Sequence, residues 1–240
     1  MSDLTHPVVI TPETALFLDF DGTLVAIQDD PDLCVLPDGG AQTLVALSAQ
    51  LGGALAAISG RDVRDLSQRV PLGIWRAGGH GLEMCAPGES PGDKPETPER
   101  LTASLEAAIC GLDGVRLEPK GPVVAIHYRA APRYEGQLVE RLQQVVAAMP
   151  DYRLQHGKMV FEAKPVGAHK GRALARMMQH PPFEGRRPVM VGDDTTDEDA
   201  MIAALELGGA AIKVGPGESV APIRVNAPSD IWALLETSLT

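Results

Sequence analysis

The sequence predicts an α/β protein: a doubly wound, Rossmann-like parallel-sheet core with a smaller α/β module inserted into it. Three observations predict this. Short apolar runs at residues 15–20, 54–58 and 188–191 each end in a polar cluster, the pattern of buried parallel strands that deliver polar residues at their C-terminal ends. Helical patterns lie around residues 41–50, 62–70, 169–179 and 197–207, and such alternation implies helices on both faces of a sheet. The middle of the chain departs from that order. After a Pro- and Gly-rich linker at 86–98 come helix 99–109, strands 115–119 and 122–128, helix 134–149, and strands 152–156 and 159–163.

The long middle helix repeats Leu138, Leu142, Val145, Val146 and Met149 at helical spacing, which gives it one apolar face. Two αββ units in succession predict a small sheet covered by helices. The expected division is a core of residues 1–84 and 166–240 around an inserted module of residues 85–165. Two chain crossings would let that module open and close over the core like a lid.

Composition limits what such a fold can do. With 240 residues, 44% of them hydrophobic, the chain can bury a substantial core. Its 32 Asp and Glu outnumber 21 Lys and Arg, which disfavours nucleic-acid backbones and anionic membranes as partners. Local cations must then attract any anionic substrate. The uncharged stretch at 39–60 is long enough to span a membrane, but Gln42, Thr43, Ser48, Gln50 and Gly52-Gly53 interrupt it, so it reads as a helix followed by a core strand. The N-terminus has early acids and no basic region before an apolar stretch, and is expected to be unprocessed and cytoplasmic. Cys34, Cys85 and Cys110 have no CxxC spacing, so packing thiols are expected rather than a disulfide framework or a zinc site. Oligomeric state stays open.

Four clusters carry chemistry. Asp19-Phe20-Asp21-Gly22-Thr23-Leu24 follows the first apolar run. Two carboxylates so close need a cation or a proton between them, which favours a split of roles: Asp19 as nucleophile and Asp21 as general acid/base. A DxDG by itself reads equally as a turn that ends a strand. Ser59-Gly60-Arg61 offers a hydroxyl and helix-start N–H groups to a phosphoryl oxygen, or an N-cap. Lys170, opening a helical pattern, can neutralise a phosphoryl group and an attacking carboxylate together, though by itself it reads as a solvated surface lysine. Gly192-Asp193-Asp194-Thr195-Thr196-Asp197 groups hard oxygen ligands suited to Mg²⁺. Asp193 is the best ligand candidate, with Asp194 and Asp197 as direct, water-mediated or positioning partners, or as part of a helix cap.

The order of these clusters, each at the end of a core strand or the start of the next helix, resembles the haloacid dehalogenase-like phosphatases over essentially the whole chain. The resemblance implies that Asp19 is phosphorylated, that Asp21 protonates the leaving alcohol and then activates water, and that Ser59 and Lys170 hold phosphate. It also implies that Asp193 binds Mg²⁺ together with Asp19 and the backbone carbonyl of Asp21. A narrower resemblance, to trehalose-6-phosphate phosphatases, rests on GDDTTDEDAM at 192–201, GKMVFE at 157–162, PVG before Lys170-Gly171-Arg172-Ala173-Leu174, and His127-Tyr128-Arg129. Gly79-His80-Gly81 is similar to that family's turn between core and cap.

With 159–163 as a strand, Lys158, Val160 and Glu162 share one face and Met159 and Phe161 the other. Lys158 and Glu162 then clasp sugar hydroxyls, or form a cross-strand ion pair. Arg129, ending another strand, reaches the substrate as well, and Gly60 and Arg61 join the substrate-binding set. The expected partner is a small sugar phosphate. Alternatives are a sucrose 6-phosphate or mannosyl-3-phosphoglycerate phosphatase, a phosphohexomutase, or a non-catalytic sugar-phosphate sensor. A pure binder has no need of the Asp19/Asp21 pair.

Overall fold

The computed structural model describes residues 10–157 and 159–239; the N-terminal segment and Lys158 lie outside them. In chain order the elements are β1 (Thr14–Leu18), α1 (Gly40–Gln50), β2 (Leu55–Ile58), α2 (Val63–Arg69), β3 (Trp75–Gly78), β4 (Glu83–Cys85), α3 (Glu99–Ile109), β5 (Arg116–Lys120), β6 (Val123–His127), α4 (Glu135–Ala147), β7 (Tyr152–Gly157), β8 (Val160–Pro165), α5 (Lys170–Met177), β9 (Arg187–Gly192), α6 (Thr195–Glu206), β10 (Ala210–Val214), β11 (Ile223–Val225) and α7 (Pro228–Thr237). They fall into two compact units, one running up to Pro91 and resuming at His169, the other Gly92–Ala168.

The first unit is built on a seven-stranded sheet of order β11-β10-β9-β1-β2-β3-β4. All its neighbours run parallel except β3 and β4. Every residue of β1 and β2 is buried, which is why these strands read as continuous apolar runs rather than alternating ones. The chain leaves β1 toward β2 on one side and fills β9 to β11 on the other. The switch point therefore lies between β1 and β9, where ligands of such sheets bind beyond the carboxyl ends. At that edge Leu18 pairs with Val191, and the Asp19 N–H donates to the Val191 carbonyl at 3.0 Å. The first and last acidic clusters are thus set side by side by backbone pairing alone.

Five elements of this unit were not anticipated. Strands β3 and β10 carry Arg76 and Lys213, charges that break the apolar pattern yet are buried. Arg76, with no exposed surface, donates to the carbonyls of Ile74, Ala86 and Glu89 and to the Ser67 hydroxyl, so its desolvated guanidinium is satisfied. Strands β4 and β11 have three residues each, too few for a period to register. Helix α7 lies beyond the last motif; its Trp232 indole donates to the Leu24 carbonyl at 2.8 Å.

The second unit is an antiparallel sheet of order β5-β6-β8-β7 with α3 and α4 on one face. Leu101 and Leu105 of α3, Leu138 and Leu142 of α4, and Val124, Ile126 and Phe161 of the sheet form its core, the apolar stripe expected for α4 included. It begins at residue 92 rather than the expected 85, because residues 83–85 pair with β3 as the edge strand of the core sheet. It ends at 168 rather than 165, since the Val166 N–H donates to the Asp151 carbonyl and the Ala168 carbonyl accepts from Arg153.

Two local expectations are corrected. Met159 is not in a strand: it takes φ 61° in the turn before β8. Arg129 does not end a strand, since β6 stops at His127 and Arg129 is an exposed turn residue. Cys34 and Cys85 are buried, Cys110 is exposed, and all three are free thiols. Among the described residues no helix is long and apolar enough to cross a membrane.

Candidate active site

Asp19 follows β1 and is 4% exposed. Lys170, the first residue of α5, extends its ammonium between two carboxylates, 2.7 Å from Asp19 Oδ1 and 2.6 Å from Asp197 Oδ1. Asp197 is fully buried; its other oxygen, Oδ2, accepts from the N–H groups of Asp193 (3.0 Å) and Asp194 (3.1 Å). Both oxygens of Asp197 are therefore engaged, one by a cation and one by the backbone that carries Asp193. This side chain serves as a scaffold. Asp194 is bound up locally as the N-cap of α6, its Oδ1 accepting from the Thr196 N–H and hydroxyl, both at 2.7 Å, in a capping box closed by Asp197.

Two glycines permit the closeness of these groups. A Cβ on Gly22, whose φ is +83°, would lie 2.1 Å from Asp193 Oδ2. A Cβ on Gly192 would lie 2.3 Å from that of Asp197. The DxDG and GDD segments touch, and any side chain at either glycine would part them. Lys213, which sequence reasoning did not single out, reaches in from β10 and donates to the carbonyls of Asp193 and Val214. Its place in an apolar strand, AAIKV, was the one available signal.

The electrostatics follow from burial and crowding. Burial, then the Asp197 carboxylate, pushes Asp19 well above the usual carboxylate range in spite of Lys170. Burial with Asp197 and Asp194 beside it raises Asp193 to about 6. Burial works against the charged form of Lys170, but Asp19 and Asp197 outweigh it and hold the ammonium above the ordinary lysine value. One Lys thus serves more negative charge than it can balance.

One oxygen each from Asp19, Asp193 and Asp197 lies within 4.8 Å of the others. The donors are all carboxylate oxygens, the set a hard cation such as Mg²⁺ takes. With both Asp197 oxygens engaged, Asp19 and Asp193 are the carboxylates that fit a metal.

Ser59, at the end of β2, is buried. Its Oγ accepts from the Arg61 N–H at 3.1 Å, which leaves its own O–H to donate. The 79–80 turn braces this corner, with the Gly79 N–H on the Arg61 carbonyl (2.7 Å) and the His80 N–H on the Ser59 carbonyl (2.9 Å). Asp21 and Arg61 meet directly: Nε to Oδ2 at 2.6 Å and Nη2 to Oδ1 at 2.7 Å. The Asp21 side chain is thus drawn to Arg61, while its neighbour Asp19 is drawn to Lys170.

Of the predicted substrate residues in the second unit, Arg129 sits in an exposed turn and Glu162 in β8. Glu162 pairs with Ala125 on one side and Gln155 on the other, and Ala125 pairs with Glu118. Glu118, Ala125, Glu162 and Gln155 therefore form one row on the sheet face opposite Phe161. Sequence reasoning did not single out Glu118, because only the register across three strands aligns it with Glu162.

The family model for trehalose-phosphatase matches residues 17–228. The chain is 39% identical to trehalose-6-phosphate phosphatase of Escherichia coli (strain K12) over 248 aligned residues, covering 99% of this chain and 92% of the relative. It is 42% identical to a probable trehalose-phosphate phosphatase of Sinorhizobium fredii (strain NBRC 101917 / NGR234), over 84% of this chain and 78% of the relative. Its fold is similar to that of Aspergillus fumigatus trehalose-6-phosphate phosphatase, with a TM-score of 0.74 at 23% identity over 94% of this chain and 92% of that one. With a family model spanning most of its length and relatives of this identity over most of theirs, the chain belongs to the trehalose-phosphatase family.

Proposed function

We propose that the protein hydrolyses trehalose 6-phosphate to trehalose and inorganic phosphate, in the cytoplasm, as a Mg²⁺-dependent step of trehalose formation. The observation that carries this reading is the convergence of Asp19, Lys170 and Asp193 at the switch point of the sheet, in a chain of this family. Asp19 has Oδ1 on Lys170, and its Oδ2 attacks phosphorus. The bond from phosphorus to the sugar oxygen breaks, and the leaving oxygen takes a proton from Asp21, giving an aspartyl phosphate and free trehalose. Asp21 then takes a proton from water, which attacks phosphorus and releases phosphate from Asp19. Ser59 donates to a phosphoryl oxygen and Lys170 offsets the charge of nucleophile and phosphate together.

Asp19 and Asp193, with the Asp21 backbone carbonyl, would hold Mg²⁺. When bound, the ion lowers the repulsion among these carboxylates and the phosphate and polarises a phosphoryl oxygen. The Gly60-Arg61 segment completes the phosphate-binding turn, and the second unit reads the sugar through Glu162, with Lys158 and Arg129 assigned to the sugar as well.

The test is phosphate release from trehalose 6-phosphate, sucrose 6-phosphate, mannosyl-3-phosphoglycerate and an aryl phosphate, with Mg²⁺ and with chelator. The expected result is a preference for trehalose 6-phosphate that disappears on chelation and returns with Mg²⁺. Tight binding of sugar phosphates without turnover would replace this reading with a sensor.

A further inference from the structure

Arg61 is placed by sequence among the residues that meet substrate, yet its guanidinium is already committed. Nε and Nη2 grip the two oxygens of Asp21, Nη1 donates to Asp65 Oδ2 at 2.8 Å, and Nη2 also donates to the Pro31 carbonyl at 2.9 Å. Those contacts use four of the five N–H donors of an arginine. The guanidinium also lies over the Phe20 ring, 5.5 Å from its centroid. Asp65 is itself fixed by Arg69 at 2.8 Å, and Arg69 in turn donates to the carbonyls of Asp32 and Cys34. The arginine side chain is only 12% exposed. This is an anchored group rather than an arm reaching for a ligand.

We infer that Arg61 is a positioning residue: it sets the orientation of the Asp21 carboxylate, and its side chain does not bind the substrate's phosphate. The inference rests on the role of Asp21 as acid/base proposed above. A two-point grip removes rotation of the carboxylate about its own axis, which a single hydrogen bond does not. Each carboxylate oxygen has two acceptor sites, so one site per oxygen stays free, in a fixed direction, to carry the proton that passes to the leaving sugar oxygen and then to accept one from water. Alignment of a proton-transfer group matters because the transfer needs hydrogen-bond distance in the reacting geometry. Lysine in place of Arg61 keeps the charge but has no planar fork, so charge and orientation can be separated.

The experiment measures kcat and KM for wild type, Arg61→Gln, Arg61→Lys, Asp21→Asn and the double variant Asp21→Asn/Arg61→Gln, with melting temperatures for each. Wild-type turnover is recorded first; its absence on every sugar phosphate overturns the proposed function, and the comparison then runs on whichever phosphomonoester is hydrolysed. The expected result is a fall in kcat of ~10–100-fold in Arg61→Gln, within the range that one proton-transfer group contributes, and KM within about threefold of wild type. Arg61→Lys should recover only a small part of kcat. In the Asp21→Asn background Arg61→Gln should add less than about twofold, because residues that act through one another do not add. A raised KM at unchanged kcat would show Arg61 binding substrate and overturn the inference, as would full additivity of the two substitutions. If Arg61→Gln does not fold, Arg61→Lys alone and in the Asp21→Asn background carries the same comparison.

Discussion

The two units place their polar residues by different means. In the seven-stranded sheet they gather at one edge, beyond β1, β2 and β9, where Asp19, Ser59 and Asp193 are each delivered by the strand before them. In the four-stranded sheet they are spread over a face, where Glu118, Glu162 and Gln155 come from three strands and are brought into a row by register. The edge holds buried carboxylates around one ammonium; the face holds half-exposed side chains. Strand ends suit chemistry that needs a few rigid, desolvated groups. A sheet face suits recognition of many hydroxyls by groups that stay near water.

This contrast predicts that substitutions at the edge act on every substrate and those on the face on one. Asp19→Asn should give the largest effect: turnover of trehalose 6-phosphate and of an aryl phosphate should both fall on the order of 10³-fold or more, since the amide is isosteric but a far poorer nucleophile. Circular dichroism should show the fold retained. Wild-type rates in the folded variant would remove Asp19 from the reaction.

Lys170→Met should be the next largest, and should damage the fold as well. It strands Asp19 and Asp197 without their shared cation, and breaking a buried ion pair costs about 3–5 kcal/mol. Urea denaturation in chelator measures it. A change under about 1 kcal/mol would mean that the two carboxylates are well solvated without Lys170.

On the face, Glu162→Ala should lower kcat/KM for trehalose 6-phosphate by ~10-fold, the scale of a charged hydrogen bond, and leave the aryl phosphate nearly unaffected. Equal losses on both substrates would erase the distinction between edge and face.

The smallest effect concerns pH. Asp193 rises to about 6 in the fold from an ordinary value of 3.8, so between those values the folded protein binds more protons than the unfolded chain. This group's contribution to stability is full below about pH 4 and is lost as pH rises through 6. Metal-free Asp193→Asn should therefore melt like wild type at low pH and become the more stable protein at pH 7.5, by at most ~3 kcal/mol from the size of the shift and by less than that because solvent screens this partly exposed carboxylate. Calorimetry across pH 4–8 in chelator checks the sign; a variant less stable at pH 7.5 would show that Asp193 gains more from Lys170 and Lys213 than it loses by crowding.

Much of the edge was legible in the chain because each motif is contiguous. An apolar run followed by DxDG, SGR or GDD states both the strand and what it delivers, and α5 begins at Lys170, within one residue of the helical pattern expected there. The four strands of the second unit were legible as well, since alternation and turn residues are local signals. What was not legible depended on partners distant in sequence. The role of Asp197 as scaffold, which leaves Asp193 as the candidate metal carboxylate, came from which oxygens are already bonded. Lys213 was missed because its charge interrupts the apolar run of β10 and its acceptor on Asp193 lies twenty residues away, and Arg129 was misplaced because β6 stops two residues earlier than its position required.

By itself, then, the sequence determined the layered α/β core, the inserted αββαββ unit and the residues beyond β1, β2 and β9, because periodicity and backbone pairing act over a few residues and leave their mark on the chain. Only the tertiary structure decided which carboxylate faces which cation. Asp19 and Asp21 are two residues apart, yet one is held by Lys170 from α5 and the other by Arg61 from the turn after β2. Charge pairing at hydrogen-bond distance is set by the packing of separate elements, and no spacing along the chain encodes it.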